Sequence, residues 1–121
     1  MKRELSQIFK LKLLGANIPG ADADGFITLS SAIPIEYEEE ANKSSQGVSY
    51  KQTVDIYMDR TECPSFIARF SSFKAIVKLS DCEQEYVWGT SGVPVKVMST
   101  PHFERILLSM SCESPFPIIS Y

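Results

Sequence analysis

The chain has a single histidine, His102, and three cysteines, Cys63, Cys82 and Cys112. An imidazole that meets a thiol in space makes a nucleophile, so a hydrolase built on this sequence would use Cys82 or Cys112 with His102. The local sequence favours a plainer role. Pro101-His102-Phe103 has no adjacent Asp, Glu or Cys, which suits a structural or surface histidine. The cysteines are odd in number and widely spaced with no Cys-x-x-Cys, which fits neither a disulfide framework nor a zinc site. Reduced thiols are expected, with Cys112 a small core residue and Cys82 in a polar turn.

Asp22-Ala23-Asp24-Gly25 has the composition of a calcium loop. With Gly25 at its sixth position, the loop would begin at Gly20 and end at Ser31, where a carboxylate and a bidentate Glu are required. An Asx turn is the expected structure instead. The usual glycine-rich phosphate loops, His-Glu-x-x-His and Gly-x-Ser-x-Gly are absent from the sequence. The expectation is therefore a non-enzyme with no cofactor and no metal.

Tyr50, Tyr57, Tyr86, Trp88 and Phe103 interleave with Lys51, Arg60, Lys96 and Arg105. On one sheet face such residues stack bases, and around a cavity they make a small-ligand-binding barrel or sandwich. Cross-strand aromatic packing, at roughly 0.2 to 1 kcal/mol per pair, explains them without a ligand. A net charge of −3 with scattered basic residues argues against nucleic acid. Lys10 and Lys12 interrupt the apolar stretch that a signal peptide needs after Met1-Lys2-Arg3, and no window approaches the length of a membrane span. A soluble protein, cytoplasmic when synthesised and without a membrane partner, is expected.

The elements that position these residues show a two-residue period. Ala75, Val77 and Leu79 alternate with Lys74, Ile76, Lys78 and Ser80, Tyr86 and Trp88 follow, and Ile106, Leu108, Met110 and Cys112 share one face. Val48, Tyr50, Gln52, Val54, Ile56 and Met58 point one way, and Phe9, Leu11 and Leu13 alternate with Lys10 and Lys12, although residues 4–14 also suit a short helix. Phe66, Ile67, Phe70 and Phe73 break the period, which predicts one short helix or crossover near 64–72. Residues 34–46, acidic and then Ser-rich, read as a mobile loop, and residues 114–121 as an extended Pro-rich tail. The 121 residues fit one domain over 1–121. Its predicted class is all-β: six to eight strands in an antiparallel sandwich or partly open barrel.

Taken in order, three stretches resemble small structural proteins encoded in prophages of Bacteroidetes-type bacteria. They are Gly47-Val48-Ser49-Tyr50-Lys51-Gln52-Thr53-Val54, the strand from Phe73 to Asp81 followed by Tyr86-Val87-Trp88-Gly89, and Gly92-Val93-Pro94-Val95 with a last strand ending Ser114-Pro115-Phe116-Pro117. Cys82-Glu83-Gln84 stands where that pattern has a Gly-containing turn. The resemblance implies a neck or tail assembly component that binds copies of itself, as in a ring, and other virion subunits. Its expected contacts are the tail residues Pro115, Phe116, Pro117, Ile118, Ile119 and Tyr121, together with Glu38, Glu39 and Glu40.

Overall fold

The computed structural model describes residues 2–15, 20–45, 47–63, 67, 72–81 and 83–114. Within them the strands are β1 (Lys2–Leu5), β2 (Ile8–Leu13), β3 (Ile27–Ser30), β4 (Ile35–Ser44), β5 (Gly47–Asp59), β6 (Ser72–Ser80), β7 (Glu85–Trp88), β8 (Val95–His102) and β9 (Arg105–Ser114). Every pairing is antiparallel, in the order β1-β4-β5-β9-β8-β6-β2-β3, with β7 also on β6.

That order returns to its starting point. β1 lies on β4 and β2 on β6, yet only Ser6 and Gln7 separate β1 from β2. The Ser6 amide donates to the Ser80 carbonyl at 2.8 Å, holding the corner against β6. β3 and β4 follow β2 and β1 in turn, and the Ala32 amide donates to the Tyr57 carbonyl at 2.6 Å where the chain passes on towards β5. The sheet is thus curled into a partly open barrel. Its walls are β1–β2, β3–β4, β5, β9, β7–β8 and β6.

Alternation decides what fills it. Inward positions such as Leu11, Ile35, Val54, Ile56, Val77, Leu79, Val97 and Leu108 are buried in one continuous core. Each branched aliphatic side chain buried this way contributes roughly 1.5 to 3 kcal/mol. The interior is packed with side chains, as small barrels are.

Three expectations need correction or placing. Residues 34–46 do not form a mobile loop: β4 occupies 35–44 and pairs with β5 from Glu36↔Asp55 to Ser44↔Gly47. The expected strand stands as β2 over 8–13, not the alternative helix over 4–14, and β1 ahead of it was unforeseen. The helix or crossover expected near 64–72 falls outside the described residues except for Ile67, which is fully buried, and Ser72, which opens β6.

Candidate functional site

The core holds one polar chain. Trp88 Nε1–H donates to Gln52 Oε1 at 2.8 Å, and Gln52 Nε2 donates to Glu39 Oε1 at 3.1 Å. The Tyr37 hydroxyl donates to the same Glu39 oxygen at 2.9 Å, and the Tyr37 and Trp88 rings meet edge to face at 6.3 Å. Gln52, Tyr37 and Trp88 are 1%, 0% and 1% exposed, so each buried polar atom of this chain depends on its neighbour. The arrangement fixes side chains, with half-buried Glu39 at its outer end. Alternation along β4 turns the half-buried Glu39 towards this polar chain, while Glu36, Glu38 and Glu40 of the same strand point the other way.

Outward positions gather charge by sign. Glu4, Glu36 and Asp55 lie directly opposite one another across β1, β4 and β5. Glu36, Glu38 and Asp55 line a groove of about 240 Å³ with Ile33, Thr53 and Tyr57. Lys74 faces Lys96 across β6 and β8. Those two lysines and Lys51 line a cleft of about 330 Å³ whose floor includes Val93, Pro94 and Cys112. Glu113 borders the cleft, where its carboxylate accepts from Ser49 Oγ at 3.0 Å.

Lysines elsewhere on this side are matched. Lys10 and Lys78 flank Glu85 at 3.6 and 3.9 Å, and Lys78 Nζ stands 4.3 Å from the centre of the Phe26 ring. Phe26 is placed there by the expected Asx turn, in which Asp22 Oδ1 accepts from the Asp24 and Phe26 amides at 2.9 Å each. The bond from the Phe26 amide is the main influence holding the Asp22 carboxyl below its ordinary range.

Two projections complete the surface. Beyond Glu38, β4 has left β1, and before Tyr50, β5 has not reached β9; among the described residues, 42–44 and 47–49 therefore have only each other as strand partners. This hairpin arm is exposed along β4, and Val48 is 43% exposed on β5. At the β8–β9 turn, Phe103 is 94% exposed with φ at 47°.

The expected thiol–imidazole pair does not assemble with Cys112. His102 faces Arg105 at one end of the β8–β9 hairpin, and Cys112 lies seven residues along β9, about 24 Å away at roughly 3.4 Å per residue. Burial pushes the Cys112 thiol up, away from the reactive thiolate, and its Sγ lies 3.8 Å from the Val93 carbonyl. Cys82 lies outside the described residues, as do Pro115, Phe116, Pro117, Ile118, Ile119 and Tyr121. The turn holding Cys82 closes without glycine: Asp81 Oδ1 accepts from the Glu83 and Gln84 amides at 2.8 Å each, and Asp81 Oδ2 accepts from the Tyr86 hydroxyl at 2.8 Å. Only some of the aromatic residues gather. Tyr86 and Trp88 are buried, whereas Tyr57 and Phe103 border one open cavity of about 480 Å³ with His102, Glu104 and Arg105. Neither the groove nor the cleft is lined by Tyr50, Tyr86 or Trp88.

Sequence reasoning missed the lysine cleft because Lys51, Lys74 and Lys96 belong to separate strands that only tertiary pairing brings together. No family model, curated protein or solved structure matches the chain. No helix among the described residues is long and apolar enough to cross a membrane.

Proposed function

We propose that this protein is a non-catalytic structural or assembly component of phage type. It belongs to a neck or tail and works by binding copies of itself, in a ring, and neighbouring virion subunits, with neither nucleic acid nor membrane as partner. The observation that carries the reading is the β4–β5 arm. A two-stranded hairpin is marginal in water on its own, yet here residues 42–44 and 47–49 run on past the described pairing with β1 and β9. Among the described residues, the edges of the arm at 42–43 and 47–49 offer backbone N–H and C=O groups to which a neighbouring strand adds directly, with alternate side chains setting register. The motif order of the sequence supports the same class.

Multi-angle light scattering across a concentration series tests the proposal. The wild-type chain is expected to self-associate. Replacing residues 42–49 with a tight Asn-Gly turn, which joins the paired Ala41 and Tyr50, is expected to weaken that association roughly tenfold or more, as removal of an anchoring contact does, while leaving the β-sheet circular dichroism intact. Deleting Pro115 to Tyr121 is expected to weaken it as well. A monomer at every concentration that also fails to bind the capsid, neck or tail proteins encoded beside it would overturn the proposal.

A further inference from the structure

We infer that the open cavity at the β8–β9 turn is a binding site for a neutral saccharide, held by Phe103 and Tyr57. This role is additional to assembly and does not depend on it. Phe103 is 94% exposed and, among the described residues, alone of the non-glycine residues has positive φ. Glycine would hold that turn without strain. At such exposure the ring buries almost nothing, so packing within the barrel does not offset the strain. Backbone strained in this way clusters at ligand clamps, and an exposed ring offers a ligand stacking area. The neighbours of Phe103 complete the site. Alternation puts Tyr57 of β5, His102 of β8 and Arg105 of β9 on the outer face of the barrel. Arg105 lies directly opposite His102 on one side and Asp59 on the other, and Tyr57, opposite Leu107, is its diagonal neighbour. With Phe103 and Glu104 from the turn, Tyr57, His102 and Arg105 border the cavity of about 480 Å³.

The chemistry of the lining selects the ligand. Among the described residues, the Tyr57 hydroxyl, the His102 imidazole, the Glu104 carboxylate and the Arg105 guanidinium make no hydrogen bond or ion pair within the chain, so all four can turn to a ligand. They supply donors and acceptors together, beside two aromatic rings. A saccharide matches that mixture. The C–H-rich face of its ring packs on an aromatic side chain, and its hydroxyls, each both donor and acceptor, pair with carboxylate, guanidinium, imidazole and phenol. Charge favours a neutral one. Glu104 offsets Arg105 within the cavity and Asp59 lies across from the same arginine, so a phosphate or carboxylate would meet repulsion as well as attraction. Shape favours a sugar over an apolar ligand. A site on the outer wall covers one side of what it binds, whereas drug-like apolar ligands need most of their surface enclosed; the far hydroxyls of a sugar stay hydrated. Tyr57 also lines the groove of about 240 Å³ with Thr53 and Asp55. Cavity and groove adjoin at this residue, which gives room for more than one sugar unit.

Saturation-transfer difference NMR on the full chain tests this with four neutral trisaccharides: maltotriose, cellotriose, mannotriose and triacetylchitotriose. At least one is expected to bind, with saturation reaching its ring C–H protons. Phe103→Leu keeps apolar bulk but removes the ring, and is expected to weaken that binding roughly fivefold or more, since an aromatic contact contributes beyond its area. Tyr57→Leu is expected to do the same, and Phe103→Tyr to retain binding. Circular dichroism of each variant checks that the barrel is kept. Adenosine monophosphate and trigalacturonate serve as charged controls. If none of the four trisaccharides binds, or if one binds wild type and both leucine variants equally well, the inference is overturned. Preference for either charged control over every neutral trisaccharide overturns it too, because the site then selects charge. If Phe103→Leu lowers self-association in light scattering while no trisaccharide binds, the turn is a subunit contact, and the inference fails with the assembly reading intact.

Discussion

Phe103 shows how much the surface costs a single residue. It fills the first position of the two-residue turn joining β8 to β9, with φ at 47°. Positive φ at that position alone belongs to a type II′ turn, where glycine is favoured, and a side chain there costs about 1 to 2 kcal/mol. Phe103→Gly is expected to raise stability by about 1 kcal/mol, visible as a melting temperature about 4 °C higher in a thermal scan. Gln52 presents the opposite case. It is 1% exposed and satisfies the indole of Trp88. Gln52→Leu leaves a buried N–H without an acceptor and is expected to lower stability by about 1 to 3 kcal/mol in urea unfolding. A hydrophobicity pattern shows Gln52 on the inward face of β5 but does not show why a polar side chain belongs there. The reason is Trp88, thirty-six positions away, and only the folded register brings the two together.

At the scale of elements, period-two stretches were legible wherever the inward residues were apolar. The alternation of 75–79, 52–58 and 106–112 in sequence matches their burial residue for residue. β4 was not legible, for two physical reasons. Glu39 occupies an inward position that Tyr37 and Gln52 make tolerable, and residues 40–44 are exposed, the last three of them in the arm with no core to face. A strand with a polar residue on its buried side and a solvated second half looks like a loop. The 89–94 connection was legible as a break but not as a constraint. The Thr90 amide donates to the Val93 carbonyl at 3.0 Å, folding the excursion so that β7 and β8 both reach the same edge of β6. Gly89 has φ at 89°, and a Cβ there would lie 2.9 Å from Val95 Cγ2 and 3.1 Å from the Val95 amide nitrogen. Gly89→Ala is expected to cost about 2 kcal/mol or more from left-handed backbone strain and crowding together, measured as a lower urea midpoint at unchanged slope.

For the whole molecule, composition and periodicity gave the class, while the closure of the barrel lay beyond them. Nothing local to residues 2–13 indicates that their partners are β4 and β6, since those pairings depend on what the rest of the sheet leaves available. The outward charges follow the same rule: Lys74 and Lys96, like Glu4, Glu36 and Asp55, are scattered in sequence and become neighbours only through strand pairing.

The corner at Ser6 and Gln7 sets a timetable. Residues 2–13 leave the ribosome before β6, which must flank them and follows about sixty residues later, a wait of several seconds at ordinary rates of synthesis. During that interval Phe9, Leu11 and Leu13 have no β6 to cover them, so the nascent chain carries a sticky segment. In the cell, yield should therefore depend on shelter during translation as well as on the finished protein's stability.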